Sequence, residues 1–297
     1  MSSTIIYTCP FVPAEWIAAH GLVAERVTPQ ASDARGAIGP VPGVCPYARA
    51  FANAAVTRRD AAGIVVTTVC DQMRRVAEVI AAHADRPVFV MNVPHTWQTQ
   101  GPMGMYIGEL RRLGRYLIGL GGSALDASRL AETILEHEAR RNAAQVGASG
   151  KGLPLALVGG PLMADYTSLH QLVEQAGGYV ALDATETGER TQPASFDREL
   201  VGTDPLSALA KAYFGHIPDP FRRPNSGFHE WLKNAITERR VRGIVLRRYT
   251  WCDTWNAEAR RIEETTGLPL LHLDAGDSAA DSARALTRLQ AFVEMLR

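Results

Sequence analysis

Four cysteines occupy positions from which a protein could bind a metal or a redox cofactor. Cys9, Cys70 and Cys252 each follow a short apolar run typical of a buried strand, and Cys45 comes directly before a helical pattern. In an open α/β sheet, ligands bind in the crevice outside the carboxyl ends of the strands. Because thiolates bind zinc and iron–sulfur clusters, this placement predicts metal or redox chemistry at such a crevice.

Composition limits the classes of protein to consider. The 297 residues are 46% hydrophobic and 21% charged, as in a soluble globular protein of one large or two ordinary domains. The formal net charge is zero, so we expect neither a nucleic-acid partner nor a membrane surface. No run of 18 apolar residues predicts a membrane span, and no signal-peptide pattern precedes the first strand, so we expect a cytoplasmic location.

The elements that must position the cysteines alternate between strand and helix. This order predicts an α/β fold of two doubly wound domains, Rossmann-like or flavodoxin-like, with parallel sheets joined by long helices. We place the domains at 1–150 and 151–297, with a Gly/Ser/Lys linker at 146–152 and a Pro/Gly-rich functional loop at 28–44. The predicted strands are 4–8, 22–27, 63–68, 88–93, 154–158, 179–183, 243–247 and 269–273. The predicted helices are 13–20, 46–57, 71–84, 103–120, 126–145, 163–176, 205–214, 227–240, 254–266 and 279–296.

Several segments resemble the 2-hydroxyacyl-CoA dehydratase/benzoyl-CoA reductase family, in the same order along the chain. The cysteine-containing segments are the more specific part of the resemblance, which covers about residues 8 to 275. The matching segments are TCPFVPAEWIAAHG at 8–21, GVCPYAR at 43–49, TTVCDQMRR at 67–75, NVP at 92–94, TGER at 187–190, DPLSALA at 204–210 and WCD at 251–253.

The resemblance implies a 4Fe–4S cluster held by the thiolates of Cys45, Cys70 and Cys252. One iron would lack a protein thiolate and could bind water or a substrate oxygen. Two ligands from the first domain and one from the second would put the cluster in the interdomain cleft. Helix N-termini after these cysteines would stabilise the thiolates, which agrees with the interpretation of the residues alone.

The chemistry that the resemblance implies is reductive and sensitive to oxygen. A single electron from an ATP-dependent iron–sulfur activator protein would convert an acyl-CoA thioester to a ketyl radical, leading to dehydration or reduction. The family works as a dimer of related subunits, so we expect a second related subunit or a homodimer. Two alternatives stay open: a non-catalytic electron carrier or partner subunit, and a zinc protein that uses the same three thiolates.

Other residues near the matched segments are candidates for the site. Glu15 and His95 are candidate catalytic groups, the latter as a proton donor after a strand. Cys9 is a candidate for the substrate side of the site. Four arginines are candidates for binding the phosphates of an acyl-CoA: Arg49, Arg74, Arg75 and Arg190.

The chain departs from the family pattern at two positions. Family members often carry cysteine where this chain has Glu186 and Asp219. Neither is needed for a cluster with three thiolates. Four cysteines are too few for a double-cubane cluster held by six.

Overall fold

Two parallel β-sheets of four strands each form the framework of the protein. The computed structural model describes residues 3–31, 36, 38–39, 41–144, 150–164, 166–275 and 280–297. The first sheet contains β1 (Thr4–Tyr7), β2 (Val23–Arg26), β3 (Ala61–Thr67) and β4 (Val88–Met91). The second contains β5 (Leu153–Gly159), β6 (Gly178–Ala184), β7 (Gly243–Tyr249) and β8 (Leu270–Ala275).

The two sheets have the same strand order. It is β2-β1-β3-β4 in the first and β6-β5-β7-β8 in the second, and every strand pair is parallel. The central strands β3 and β5 are apolar and almost fully buried, because helices cover both faces of a parallel sheet. The predicted fold class, with two doubly wound α/β halves, is confirmed.

Helices connect the strands close to where the sequence predicts them. They are α1 (Ala14–Ala19), α2 (Pro46–Thr57), α3 (Asp71–His83), α4 (Gln100–Gly119), α5 (Ala127–Ala144), α6 (Tyr166–Gln175), α7 (Arg198–Thr203), α8 (Pro205–Ala210), α9 (Ser226–Glu238), α10 (Asp253–Thr266) and α11 (Ala280–Met295). The predicted helix 205–214 is divided, because α8 ends at Ala210 and a π-helical turn follows over Lys211–Gly215. Among the described residues, no helix combines the length and the hydropathy needed to cross a bilayer.

The second half of the chain contributes side chains to the hydrophobic core of the first half. Phe196, Phe214 and Phe221 lie in the second half of the sequence, yet they belong to the buried cluster formed around β1 and α4. The ring of Phe221 packs edge-on against Phe11, with 5.2 Å between centroids. The predicted domain boundary falls beside residues 145–149, which lie outside the described residues, so it stays a prediction. Part of the loop 28–44 also lies outside them.

Candidate functional site

A cavity of about 80 Å³ lies between the two sheets, beyond the carboxyl ends of their inner strands. Residues that follow β1 and β3 line it from one half, and residues that follow β5 and β7 line it from the other. The strand order reverses between β1 and β3 in the first sheet and between β5 and β7 in the second. Open α/β sheets bind ligands at such points of reversal. The lining residues are Thr8, Cys9, Cys45, Tyr47, Thr67, Val69, Cys70, Met73, Gly160, Pro161, Glu186, Asp219, Phe221, Arg248, Tyr249, Cys252, Thr254 and Trp255.

The three cysteines predicted as ligands all line this cavity. Cys45, Cys70 and Cys252 are the N-cap residues of α2, α3 and α10. The Sγ of Cys45 accepts a hydrogen bond from the backbone N–H of Ala48 at 3.4 Å. Helix N-termini carry partial positive charge and so stabilise thiolates. The fold therefore brings together the three thiols that the sequence singled out, and their role as ligands stays a proposal.

These thiols are protonated at neutral pH in the absence of a bound cation. Burial raises the pKa of Cys45 and of Cys252 to about 12, and the neighbouring thiols add to the rise. Burial also raises the pKa of Cys70. A bound metal would have to displace these protons, so its affinity would increase with pH.

The donors around the cavity do not by themselves identify a metal centre. Among the described residues, no three cysteine, histidine or carboxylate side chains form a group that could hold a metal ion. The iron–sulfur cluster and the three-thiolate zinc site considered above therefore both stay proposals.

Cys9 lies on the same cavity but in a different environment. It is 6% exposed, follows β1 and is hydrogen-bonded with the side chain of Thr67. Burial raises its pKa far above the ordinary value of a thiol. Beside it, the hydroxyl groups of Thr8 and Tyr47 are hydrogen-bonded to each other. Cys9 is therefore a neutral, buried thiol on the cavity wall.

Two carboxylates on the cavity wall, Glu186 and Asp219, were missed as site residues. The available signal was their position, since the family often carries cysteine at both. Burial raises the pKa of Glu186 to about 7, although Arg26 opposes the rise. Asp219 is held in place, because its Oδ2 accepts from Arg190 at 2.6 Å and its Oδ1 accepts from the Phe221 N–H at 3.1 Å.

Arg190 holds the cavity residue Asp219 in place without lining the cavity itself. Its side chain is fully buried, and it donates to the carbonyls of Ala184 and Pro218 at 2.9 and 2.8 Å as well as to Asp219. Its guanidinium also lies 5.3 Å from the ring centroid of Trp255. Because these internal acceptors occupy the guanidinium, the predicted role in phosphate binding gains no support.

The two candidate catalytic groups do not line the cavity. Glu15 is fully buried, accepts from the Tyr213 hydroxyl at 2.6 Å and forms an ion pair with Arg141. These partners give Glu15 a structural role that joins α1 to α5 and to the π-helical turn. His95 is exposed and packs edge-on against the cavity residue Phe221, with 5.3 Å between centroids. Phe221 thus contacts both His95 and the cavity, whereas His95 itself does not line the cavity.

The remaining three predicted phosphate-binding arginines also lie away from the cavity. Arg74 and Arg75 are exposed on α3, where Arg74 pairs with Asp71 at 3.4 Å. Arg49 is partly buried on α2. Arg248 supplies positive charge on the cavity wall among the described residues, and its Nη2 lies 3.4 Å from the carboxylate of Asp274.

Comparison with protein families identifies the class of the chain. The family described as 2-hydroxyglutaryl-CoA dehydratase, D-component, matches it twice, over residues 9–149 and 138–296. The two matches together span nearly the whole sequence. The chain belongs to this family, as its cysteine segments predicted. A search of curated proteins found no match.

Comparison with solved structures gives distant likenesses. One is the SBP FpvC from P. aeruginosa in complex with Ni2+, 12% identical, with a TM-score of 0.29 over 100% of this chain and 97% of that one. Another is a Mn-bound periplasmic metal binding protein from Candidatus Liberibacter asiaticus, 12% identical, with a TM-score of 0.27 over 100% of both chains. Superpositions with such low scores carry no argument about function.

Proposed function

We propose that this chain is an iron–sulfur subunit of a 2-hydroxyacyl-CoA dehydratase-type lyase, with its cluster held by Cys45, Cys70 and Cys252. One observation carries the proposal: three thiols at helix N-cap positions, from both halves of the chain, line one cavity at the switch points of both sheets. Membership of a dehydratase component family supports an enzyme subunit. The presence of a 4Fe–4S cluster goes beyond this family membership and is part of the proposal.

The cavity suits a cluster in its donors and in its walls. When bound, a 4Fe–4S cluster with three thiolates would supply one-electron chemistry and an iron open to a substrate oxygen. The N-termini of α2, α3 and α10 stabilise negative charge at the thiolates. The apolar side chains of Val69, Met73 and Phe221 line the same cavity and make part of its wall apolar.

Glu186 is the cavity group best suited to hold a proton for the reaction. Loss of a hydroxyl group as water requires a proton at the leaving oxygen, and a carboxyl group with a pKa of about 7 is protonated in part at neutral pH. We assign Glu186 as the residue that holds this proton, on one of its carboxyl oxygens. Arg26 lies 3.9 Å from Glu186 Oε1 and limits how far the pKa of Glu186 rises.

The partners follow from the same proposal. The substrate is an acyl-CoA thioester, the electron donor is an ATP-dependent iron–sulfur activator protein, and a second related subunit or a second copy completes the enzyme. Arg74 and Arg75 do not line the cavity, but they are exposed on α3, whose N-cap residue is Cys70, so they remain candidates for the phosphates of a bound thioester.

The response of the reduced protein to thioesters tests this function. We expect 2-hydroxyacyl-CoA thioesters to change the paramagnetic resonance spectrum of the anaerobic, reduced chain, whereas free CoA does not, because only the thioester brings an acyl group to an open iron. Glu186→Gln should retain the spectrum and lose turnover in the complex with activator and partner subunit. A cluster spectrum indifferent to every thioester would indicate an electron carrier instead.

A further inference from the structure

A second cavity, of about 110 Å³, shares the Asp219 wall with the cysteine cavity. It lies between the segment around Trp97 in the first half and the start of α9 in the second. The two segments are joined by a hydrogen bond from the Trp97 indole N–H to the Pro224 carbonyl at 2.7 Å. Aromatic rings form much of its lining, and Arg222 is the cationic group buried in it.

Arg222 carries a buried charge that the described residues do not neutralise. Its side chain is only 6% exposed, and its guanidinium lies 5.0 Å from the Trp97 ring centroid and 4.8 Å from that of Phe214. Nη1 donates to the Ile217 carbonyl at 3.1 Å, whereas the buried Nε has no hydrogen-bond partner among the described residues. Because a buried, unpaired charge is costly, this position calls for an anion.

Asp219, the carboxylate whose charge acts on Arg222, is already engaged by other groups. Asp219 lines both cavities and acts on Arg222 through space, but Arg190 holds its Oδ2 and the Phe221 N–H holds its Oδ1. No carboxylate in the described part of the chain forms an ion pair with Arg222 within 4.0 Å. Burial lowers the pKa of Arg222 to about 10, so the guanidinium stays charged at neutral pH.

The N-terminus of α9 adds a second set of donors to the cavity. Its N-cap residue, Asn225, does not cap the 13-residue helix with its side chain. The amide is turned away instead, since Nδ2 donates to Glu258 at 2.6 Å and Oδ1 accepts from Arg261 at 2.5 Å. Gly227 lines the cavity, and an added Cβ there would meet only Trp97 atoms, 3.8 Å away. The start of the helix therefore borders the cavity with room for a ligand, and helix N-termini favour anions.

We propose that this second cavity is an oxyanion-binding site, in which Arg222 and the N-terminus of α9 bind a carboxylate or phosphate group. Guanidinium groups bind both kinds of oxyanion through paired N–H donors. The aromatic side chains of Trp97, Phe228 and Trp231 line the cavity, and apolar walls strengthen a charge interaction beside them. None of the cysteines lines this cavity, so the site is tested on the chain as purified, with or without a cluster.

Titration of the full-length chain with two simple anions tests the site. Inorganic phosphate and sodium butyrate are added separately, with sodium chloride at matched ionic strength as the reference, and tryptophan emission and calorimetric heat are followed. Trp97 and Trp231 line the cavity, so we expect saturable binding of at least one anion with a change in emission. The anion that binds better identifies the class of the natural group.

Two variants assign the binding to the cavity. Arg222→Gln should weaken binding about tenfold or more, the scale of a lost charge-assisted hydrogen bond. Arg223→Gln is the matched control, because that neighbouring side chain is 55% exposed and does not line the cavity. Absence of saturable binding to the wild-type chain would overturn the proposal, even if Arg222→Gln fails to fold. Equal binding by a folded Arg222→Gln chain would also overturn it.

Discussion

Arg26, at the end of β2, links the first half of the chain to Glu186 in the second. Its Nε donates to the Thr8 carbonyl at 2.8 Å, and its Nη2 donates to the Glu186 carbonyl at 2.9 Å. Both acceptors belong to residues that line the cysteine cavity. One guanidinium thus fixes two cavity walls that come from different sheets.

This link predicts a loss of stability when Arg26 is shortened and neutralised. Arg26→Gln should lower the free energy of unfolding by roughly 1–3 kcal/mol, because two hydrogen bonds from a charged donor are lost. Urea denaturation measures the change. Arg59→Gln is the control, since Arg59 is exposed, and it should change stability by less than about 0.5 kcal/mol. Similar losses in both variants would remove the assigned role of Arg26.

The raised pKa of Glu186 predicts a pH dependence of stability for the metal-free chain. The folded chain binds this proton more tightly than the unfolded chain, whose carboxyl group has a pKa near 4.5, against about 7 when folded. The stabilising contribution is complete below pH 4.5 and is lost as the pH rises to about 7. Glu186→Gln stays neutral, so its stability relative to wild type should rise by roughly 2 kcal/mol between pH 5 and pH 8. Parallel pH profiles from urea denaturation would contradict this.

The position of Arg190 predicts a structural effect rather than a loss of phosphate binding. Arg190→Met should destabilise the chain by about 3–5 kcal/mol, because it leaves the buried carboxylate of Asp219 without its cation. Arg74→Ala, on the exposed face of α3, should cost less than about 0.5 kcal/mol. Thermal denaturation of the two variants side by side measures the contrast. A loss of stability as small as that of Arg74→Ala would contradict the prediction, because it would mean that Asp219 does not carry an unpaired negative charge in the variant.

Glu15 gives a test that separates structure from catalysis. Glu15→Gln should reduce stability, since the buried carboxylate pairs with Arg141 and accepts from Tyr213. In protein that remains folded, the response to thioesters should persist, because Glu15 does not line the cavity. Loss of that response at unchanged stability would restore the catalytic role first expected for Glu15.

Sequence pattern predicted the fold and part of the grouping of the thiols for the same physical reason. Apolar β-branched runs form buried parallel strands, and the carboxyl ends of neighbouring parallel strands meet at one edge. Cys9 and Cys70 follow neighbouring strands of the first sheet and therefore come together, whereas Cys252 follows a strand of the second sheet and joins them because the two halves pack against each other. Short helices were not predicted from the sequence. Helix α7 has six residues and depends on its Asp197 cap, so it is too short to show a helical periodicity of apolar residues.

Side-chain partners were not predictable from the sequence. Arg190 looks like a phosphate ligand by residue type, yet its acceptors include the carbonyls of Ala184 and Pro218, which leave no trace in the sequence. Arg222 was not singled out for the same reason, since its burial and the lack of a hydrogen-bond partner for its Nε among the described residues are tertiary properties. Residue type suggests what a group could bind, and packing decides whether it is available.

The iron and acid-labile sulfide content of anaerobically purified chains tests the central claim most directly. We predict about four of each per wild-type chain. Cys45→Ala, Cys70→Ala and Cys252→Ala should each lose most of the iron, whereas Cys9→Ala, which also removes a buried thiol from the same cavity, should retain it. A colourless wild-type protein without iron, or equal iron in all four variants, would contradict the assignment of the three thiols to a cluster.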